Sequence, residues 1–231
     1  MTGITRRLAW LAVALAAVGC GGGNGLGPKD LQQQEDKLRD RLPLDWDKYN
    51  AGDYSGAISA FSNTLVQADG LEDQPGVQNA VKSEAYDGIG WTYFRQQDLD
   101  SASDAFRRAT GLDGRNTDAW VGWAGVALAQ RRYNDVVQYC LQALENDLQY
   151  NSAFRTDEES RRLAHDLVDQ RHVRVMLAQA YLQLGRYSAG ERSDPYNAAA
   201  QVRLLQSSYR YSDPGQLVRA ISELALALKD E

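Results

Sequence analysis

With 231 residues, 43% of them apolar, the chain is long enough for one extended domain of moderate size. Its 31 acidic and 25 basic residues give a formal charge of −6. An acidic chain without a basic cluster argues against nucleic acid as the main partner.

The first 19 residues predict a secretory signal. Arg6 and Arg7 supply the positive start, residues 8–18 the apolar core, and small residues precede Cys20. A core of about 11 residues is too short for a membrane-spanning helix, which needs about 20. Ala17, Val18, Gly19 and Cys20 resemble the bacterial lipobox, which implies cleavage before Cys20 and lipidation of Cys20. An ordinary cleaved signal, with Cys20 incidental, is the alternative. Either cleavage removes Arg6 and Arg7, leaving 25 − 2 = 23 basic residues against 31 acidic, or −8. Residues 20–28, rich in glycine, read as a flexible tether, and residues 29–231 as the folded domain.

Residues 30–42 predict a polar helix with Leu31, Leu38 and Leu42 as its apolar face, kinked or broken at Pro43. Residues 44–68 form a first helical hairpin. Trp46 and Tyr49 lie on its first helix, Asp53 caps its second, and Ala57, Phe61 and Leu65 mark that second helix. Gly70, Pro75 and Gly76 place a loop around residues 69–79.

Residues 83–150 then say nearly the same thing twice at a spacing of 34. Tyr86 pairs with Trp120, Gly90 with Ala124, Tyr93 with Ala127, Phe94 with Leu128, Ala102 with Val136 and Phe106 with Cys140. Each copy has two apolar segments at helical spacing, divided by a polar break. Small residues at Gly90, Ala102, Ala109, Ala124 and Ala143 suit close helix crossings, and no single pair can bury its apolar face alone. A fourth unit carries Leu177, Ala178 and Tyr181 and the turn around Gly185. It follows an insertion around residues 151–170, in which Thr156 and Glu159 make a capping box. Its second helix is displaced to residues 197–205, with Asp194 and Pro195 restarting the chain. Asp213 and Pro214 begin a last helix that covers the end of the stack.

Tyr86, Ile89, Gly90, Tyr93, Ala102, Phe106 and Ala109, at a period of 34, resemble the tetratricopeptide repeat. The resemblance implies an all-α helical-hairpin solenoid of about four repeats with a C-terminal capping helix. It also implies a non-enzymatic scaffold that holds a protein or peptide partner in a concave groove. Carried over, that groove contains Trp46, Tyr49, Asn50, Trp91, Phe94, Arg95, Gly125, Leu128, Gln179 and Leu182. The Lys and Asn with which the family grips acidic tails are mostly missing here, so a largely apolar partner segment is expected. The same aromatics could instead pack against a neighbouring repeat or residues 29–42.

No catalytic constellation, cofactor motif or metal-spaced cysteine pair stands out. His165, Asp169 and His172 would share a face on an unbroken helix and could hold a metal for an envelope enzyme, but a solvated polar face is the plainer reading. Cys140, which takes the place of Phe106 in the repeat, reads as a small buried hydrophobe without a disulfide partner. The lipid implied at Cys20, followed by Gly21, points to a bacterial outer-membrane lipoprotein facing the periplasm.

Overall fold

Four turns of one kind set the architecture. The computed structural model, which describes residues 27–152, 168–188 and 195–229, places Gly52, Gln97, Arg131 and Gly185 at φ of +78°, +62°, +58° and +73°. After each, an N–H reaches back five residues: Asp53 to the Lys48 carbonyl, Asp98 to Tyr93, Arg132 to Ala127 and Arg186 to Tyr181, at 2.8–3.0 Å. This is a Schellman closure, which ends one helix and redirects the chain into the next.

The turns join α1 (Pro28–Asn50) to α2 (Tyr54–Ala68), α3 (Pro75–Arg95) to α4 (Leu99–Leu112), and α5 (Thr117–Ala129) to α6 (Tyr133–Asn146). The fourth leads from α7 (Gln170–Gln183) toward α8 (Ala198–Leu205), and α9 (Pro214–Lys229) follows. Each hairpin packs on the next through α2 on α3, α4 on α5 and α6 on α7. Among the described residues the one extended pairing is an isolated bridge between Asn151 and Asp169. The described residues thus form an all-α solenoid of four helical hairpins with a terminal helix.

Local chemistry explains where this departs from expectation. Pro43 does not break its helix: α1 runs through it. Leu38, Leu42, Trp46 and Tyr49 form one stripe, each under 10% exposed. Burying such side chains is worth about 1.5–3 kcal/mol apiece, enough to outweigh the roughly 3 kcal/mol that an interior proline costs. The loop expected at 69–79 is short. A 3₁₀ turn (Asp69–Leu71) leads almost directly into α3, because Pro75 sits at the helix start, where its missing N–H costs nothing. The second helix expected at 197–205 is α8, which starts at Ala198 because the Asn197 side chain accepts the Ala200 N–H at 2.9 Å; Pro195 lies before it. Asp53 caps α2 through the Gly56 N–H, as expected. Thr156, Glu159 and Asp194 lie outside the described residues.

The core is built from large residues pressed onto missing side chains. Ala102, Ala109, Ala124 and Ala143 are fully buried. The Phe106 ring, also fully buried, is held between Gly90 and Gly122; a Cβ at Gly90 would lie 2.7 Å from two of its carbons. Phe61 lies against Gly88 in the same manner, 34 residues before Gly122. Of these three glycines the repeat register singled out Gly90 alone.

Candidate functional site

The first helices of the hairpins repeat one contact and then lose it. Trp46 on α1 meets Phe61 on α2 edge-on, with ring centroids 5.2 Å apart. Trp91 on α3 meets Phe106 on α4 likewise, at 5.7 Å and 83°. In the third hairpin the equivalent positions, 34 residues on, hold Gly125 and Cys140. Where this Trp–Phe pair is missing, a cavity of about 450 Å³ opens on the face made by α3, α5 and α7. Trp91 and Phe94 wall it from α3, Val121, Gly125 and Leu128 from α5, and Val175, Met176 and Gln179 from α7. A Cβ at Gly125 would stand 3.5 Å from Phe94, an ordinary contact, so the glycine leaves room rather than filling a clash.

The last helix closes the far side. α9 packs more on α7 than on α8, whereas α5 leans more on α4 than on α3. This swings α9 onto the open face, where Ala225 and Leu228 line the same cavity. A second cavity of about 340 Å³ continues past Leu128, Ala129 and Gln179 to Arg131, Tyr133, Leu182 and Gln183, with Val218 and Ser222 of α9 opposite. The two hollows share three lining residues and form one trench along α9. Leu217 and Ile221 anchor that helix, 0% and 3% exposed, while Leu224, Ala225 and Leu228 are only half-buried.

Five residues carried over from the repeat pattern, Trp91, Phe94, Gly125, Leu128 and Gln179, meet at the first hollow, and Leu182 lines the second. The structure does not bring Trp46 or Tyr49 there. Each is 4% exposed, and they pack on Phe61 and Tyr54 inside the first hairpin. Asn50 and Arg95 are exposed at the C-terminal ends of α1 and α3 and line neither hollow. The contribution of α9 was missed because its apolar residues read only as the cover of a stack end.

The tetratricopeptide repeat family matches residues 83–116, the hairpin of α3 and α4 with the turn that follows. The fold is a tetratricopeptide-type solenoid. A solved structure of Pseudomonas aeruginosa pilF is similar at TM-score 0.50 and 17% identity, over 85% of this chain and 71% of that one. Two structures of MamA match at TM-score 0.36, one with 14% identity over 84% of this chain and 92% of that chain, the other with 15% over 80% and 96%. No curated protein matches in sequence.

Elsewhere on this tetratricopeptide-type frame the polar groups singled out by the sequence are tied into structure. Helix α7 begins at Gln170 with Asp169 as its N-cap, so Asp169 lies outside the helix that carries His172; His165 lies outside the described residues. Asp169 is the N-cap of α7. It accepts the Arg171 N–H at 2.8 Å and the Arg171 side chain at 2.7 Å, with His172 Nδ1 3.1 Å away. Burial pushes the Asp169 carboxyl up, but these hydrogen bonds outweigh it and hold it below the usual carboxylate range. Among the described residues no group of three His, Cys, Asp or Glu could hold a metal ion. A polar cavity of about 290 Å³ lies between the hairpin-linking loops. There the Tyr150 hydroxyl donates to buried Asp118, and Asn116 donates to Ser83 at 3.0 Å. Cys140 is fully enclosed, and burial pushes its thiol pKa far up. Such a thiol packs as a small hydrophobe and is a poor nucleophile.

Proposed function

We propose that this protein is a non-catalytic, lipid-anchored scaffold of the bacterial envelope that holds an apolar segment of a partner protein in the trench bounded by α3, α5, α7 and α9. One observation carries the reading: the repeat gives up its Trp at Gly125, and an apolar hollow opens beside it on the face made by α3, α5 and α7. An empty apolar cavity costs stability, because its lining loses packing partners. A hollow of this kind on the open face is a site for side chains from elsewhere. The tetratricopeptide-type fold, whose members act chiefly as interaction scaffolds, supports the same conclusion.

The anchor rests on the small residues before Cys20 and the glycine tether after it. A lipid at Cys20 would hold the domain at the periplasmic face of a membrane, the outer one where Gly21 after the cysteine directs sorting. Among the described residues no helix is long and apolar enough to cross a membrane.

Two experiments test the two halves. Gly125→Leu should fill the hollow without straining the fold, because the first added carbon meets only ordinary contact and the glycine's helix penalty is removed. Cross-linking in cells, followed by identification of the captured protein, should show a partner with the wild type and lose it with Gly125→Leu at undiminished thermal stability. Equal capture by both forms places the partner elsewhere. For the anchor, the wild type should incorporate labelled fatty acid and Cys20→Ala should not; a soluble, unlabelled wild type refutes it.

A further inference from the structure

The lining of the trench excludes one kind of occupant before it selects another. Among the side chains around the first hollow, only His172, Gln179 and the Trp91 indole have nitrogen or oxygen atoms. The His172 ring is turned to Asp169, with Nδ1 3.1 Å from its carboxylate. An extended peptide brings an N–H and a C=O with every residue, and each is costly to bury without a partner. A helix satisfies these groups within itself but is about 10 Å across, so a hollow of about 450 Å³ would hold about one of its turns. An alkyl chain has no such groups and no such girth. At the packing with which a dry cavity of about 150 Å³ takes up benzene, the first hollow holds a chain of about 18 carbons.

The charged groups stand at one end. Neither hollow is lined by an Asp or Glu, although the chain carries more acid than base. The second hollow is bordered by Arg131, with Gln183 and the hydroxyl-bearing Tyr133 and Ser222 in the same lining. Arg131 is exposed and makes no ion pair among the described residues, whereas Arg132 beside it is paired with Asp135 at 2.5 Å. Helix α9 runs along both hollows, from Val218 in the second to Leu228 in the first. An apolar hollow that leads along one helix to an uncommitted guanidinium is complementary to a molecule with a long tail and an anionic head.

Resting on the proposed function for the place of the site, we propose that the trench also takes a long-chain fatty acid, its alkyl tail in the first hollow beside Phe94 and Gly125 and its carboxylate at Arg131. Tail burial supplies most of the binding, and the ion pair at exposed Arg131 adds little affinity but sets the direction of the chain. The acid and the partner segment need the same space, so each weakens the other, and acid occupancy governs how much of the protein can capture its partner.

The probe is parinaric acid, a fluorescent long-chain fatty acid. It is titrated onto the full chain carrying Cys20→Ala, which has no lipid of its own, and then displaced by saturated acids of increasing length. Parinaric acid should bind, and each added CH₂ should tighten displacement about fourfold until the hollow is full. Gly125→Leu should weaken binding about tenfold or more at undiminished melting. A methyl ester should displace about two- to fivefold less well than its acid, the range of an exposed ion pair. Arg131→Gln should remove that difference and leave the length dependence intact. No binding, binding without length dependence, or equal binding to Gly125→Leu overturns the inference, and partner capture by cross-linking then still decides the proposed function. Equal displacement by acid and ester, unmoved by Arg131→Gln, overturns the placing of the carboxylate. If the acid binds as expected but saturating acid leaves partner capture unchanged, the partner sits elsewhere: the proposed function loses its site while the acyl site stands.

Discussion

Replacing Gly90 by alanine tests the packing logic of the solenoid. The new Cβ would meet Phe106 Cδ1 and Cε1 at 2.7 Å and Cζ at 2.9 Å. Restoring ordinary contact at 3.4 Å requires a retreat of 3.4 − 2.7 = 0.7 Å. The ring cannot supply it, because Gly122 closes its other side and Trp91 stands edge-on to it. The strain passes instead to the α3–α4 crossing, the most extensive helix contact among the described residues. Overpacking of this kind costs about 1–3 kcal/mol. Against it stands the gain of removing a helical glycine, up to about 1 kcal/mol. Gly111→Ala isolates that second effect, because nothing lies within 4 Å of a Cβ there. Gly90→Ala should therefore fall about 1–3 kcal/mol below Gly111→Ala in urea unfolding followed by helical circular dichroism, with the slope unchanged. For a domain of this size the melting points should differ by roughly 2–12 °C. If Gly90→Ala is as stable as Gly111→Ala, Phe106 is free to move and the clamp is not what joins the hairpins.

Trp91→Ala should lose about 3–5 kcal/mol of stability, because its ring belongs to the buried core; Phe94→Ala, half-buried on the trench wall, should lose less and weaken partner capture more. Comparing melting with cross-linking for the two single variants checks the division, and an equal thermal loss for both would refute it. Gln97→Gly should stabilise the fold by about 0.5–1 kcal/mol by relieving a left-handed residue at φ +62°; no gain in urea midpoint would show that the side chain itself holds the turn. Asp169→Asn should cost about 0.5–1 kcal/mol at pH 7 through the lost ion pair with Arg171. A carboxyl depressed in the fold contributes its stability above the unfolded value of about 3.9 and loses it as pH falls through the folded value. The gap between wild type and variant should thus be flat from about pH 7 to 5 and shrink below about pH 4; a gap independent of pH would mean the charge is not involved. Cys140 should stay unlabelled by a thiol reagent until the chain unfolds in urea, and rapid labelling of the native protein would contradict its enclosure.

The hairpins were legible because their signals are local and redundant. A buried stripe, a capping aspartate and a polar turn recur in register, so each unit corroborates the others. Even the left-handed residue of every turn falls at one place, although only Gly52 and Gly185 announce it; Gln97 and Arg131 adopt it because the Schellman closure around them holds. The early end of the 69–79 loop and the unbroken helix at Pro43 were less legible for the opposite reason. The break was read from Pro43 alone and the loop from Gly70, Pro75 and Gly76, and what decides a proline's effect is its position in the helix and the burial around it.

The candidate site was legible only in part, because it is built from departures from the repeat. A periodic reading places Trp46 and Trp91 at one position and assigns them one role, but the trench opens where that position turns to glycine. Trp46 and Trp91 each cover a phenylalanine within their own hairpin; at the same register positions the third hairpin has Gly125, which lines the hollow, and Cys140, which is packed in the core. Two small residues 15 positions apart carry no signal until the fold sets them in equivalent places. The far wall is less visible still, since nothing in the pattern of α9 says that it leans on α7 rather than α8. In a solenoid the repeated residues hold the hairpins together and are constrained by their neighbours on both sides. A hairpin that keeps the turn and the helix crossing but gives up its ring pair remains in the stack and gains a cavity. A cavity can therefore arise at the irregular positions at little cost to the frame, and Gly125 is the irregular position beside which the trench opens.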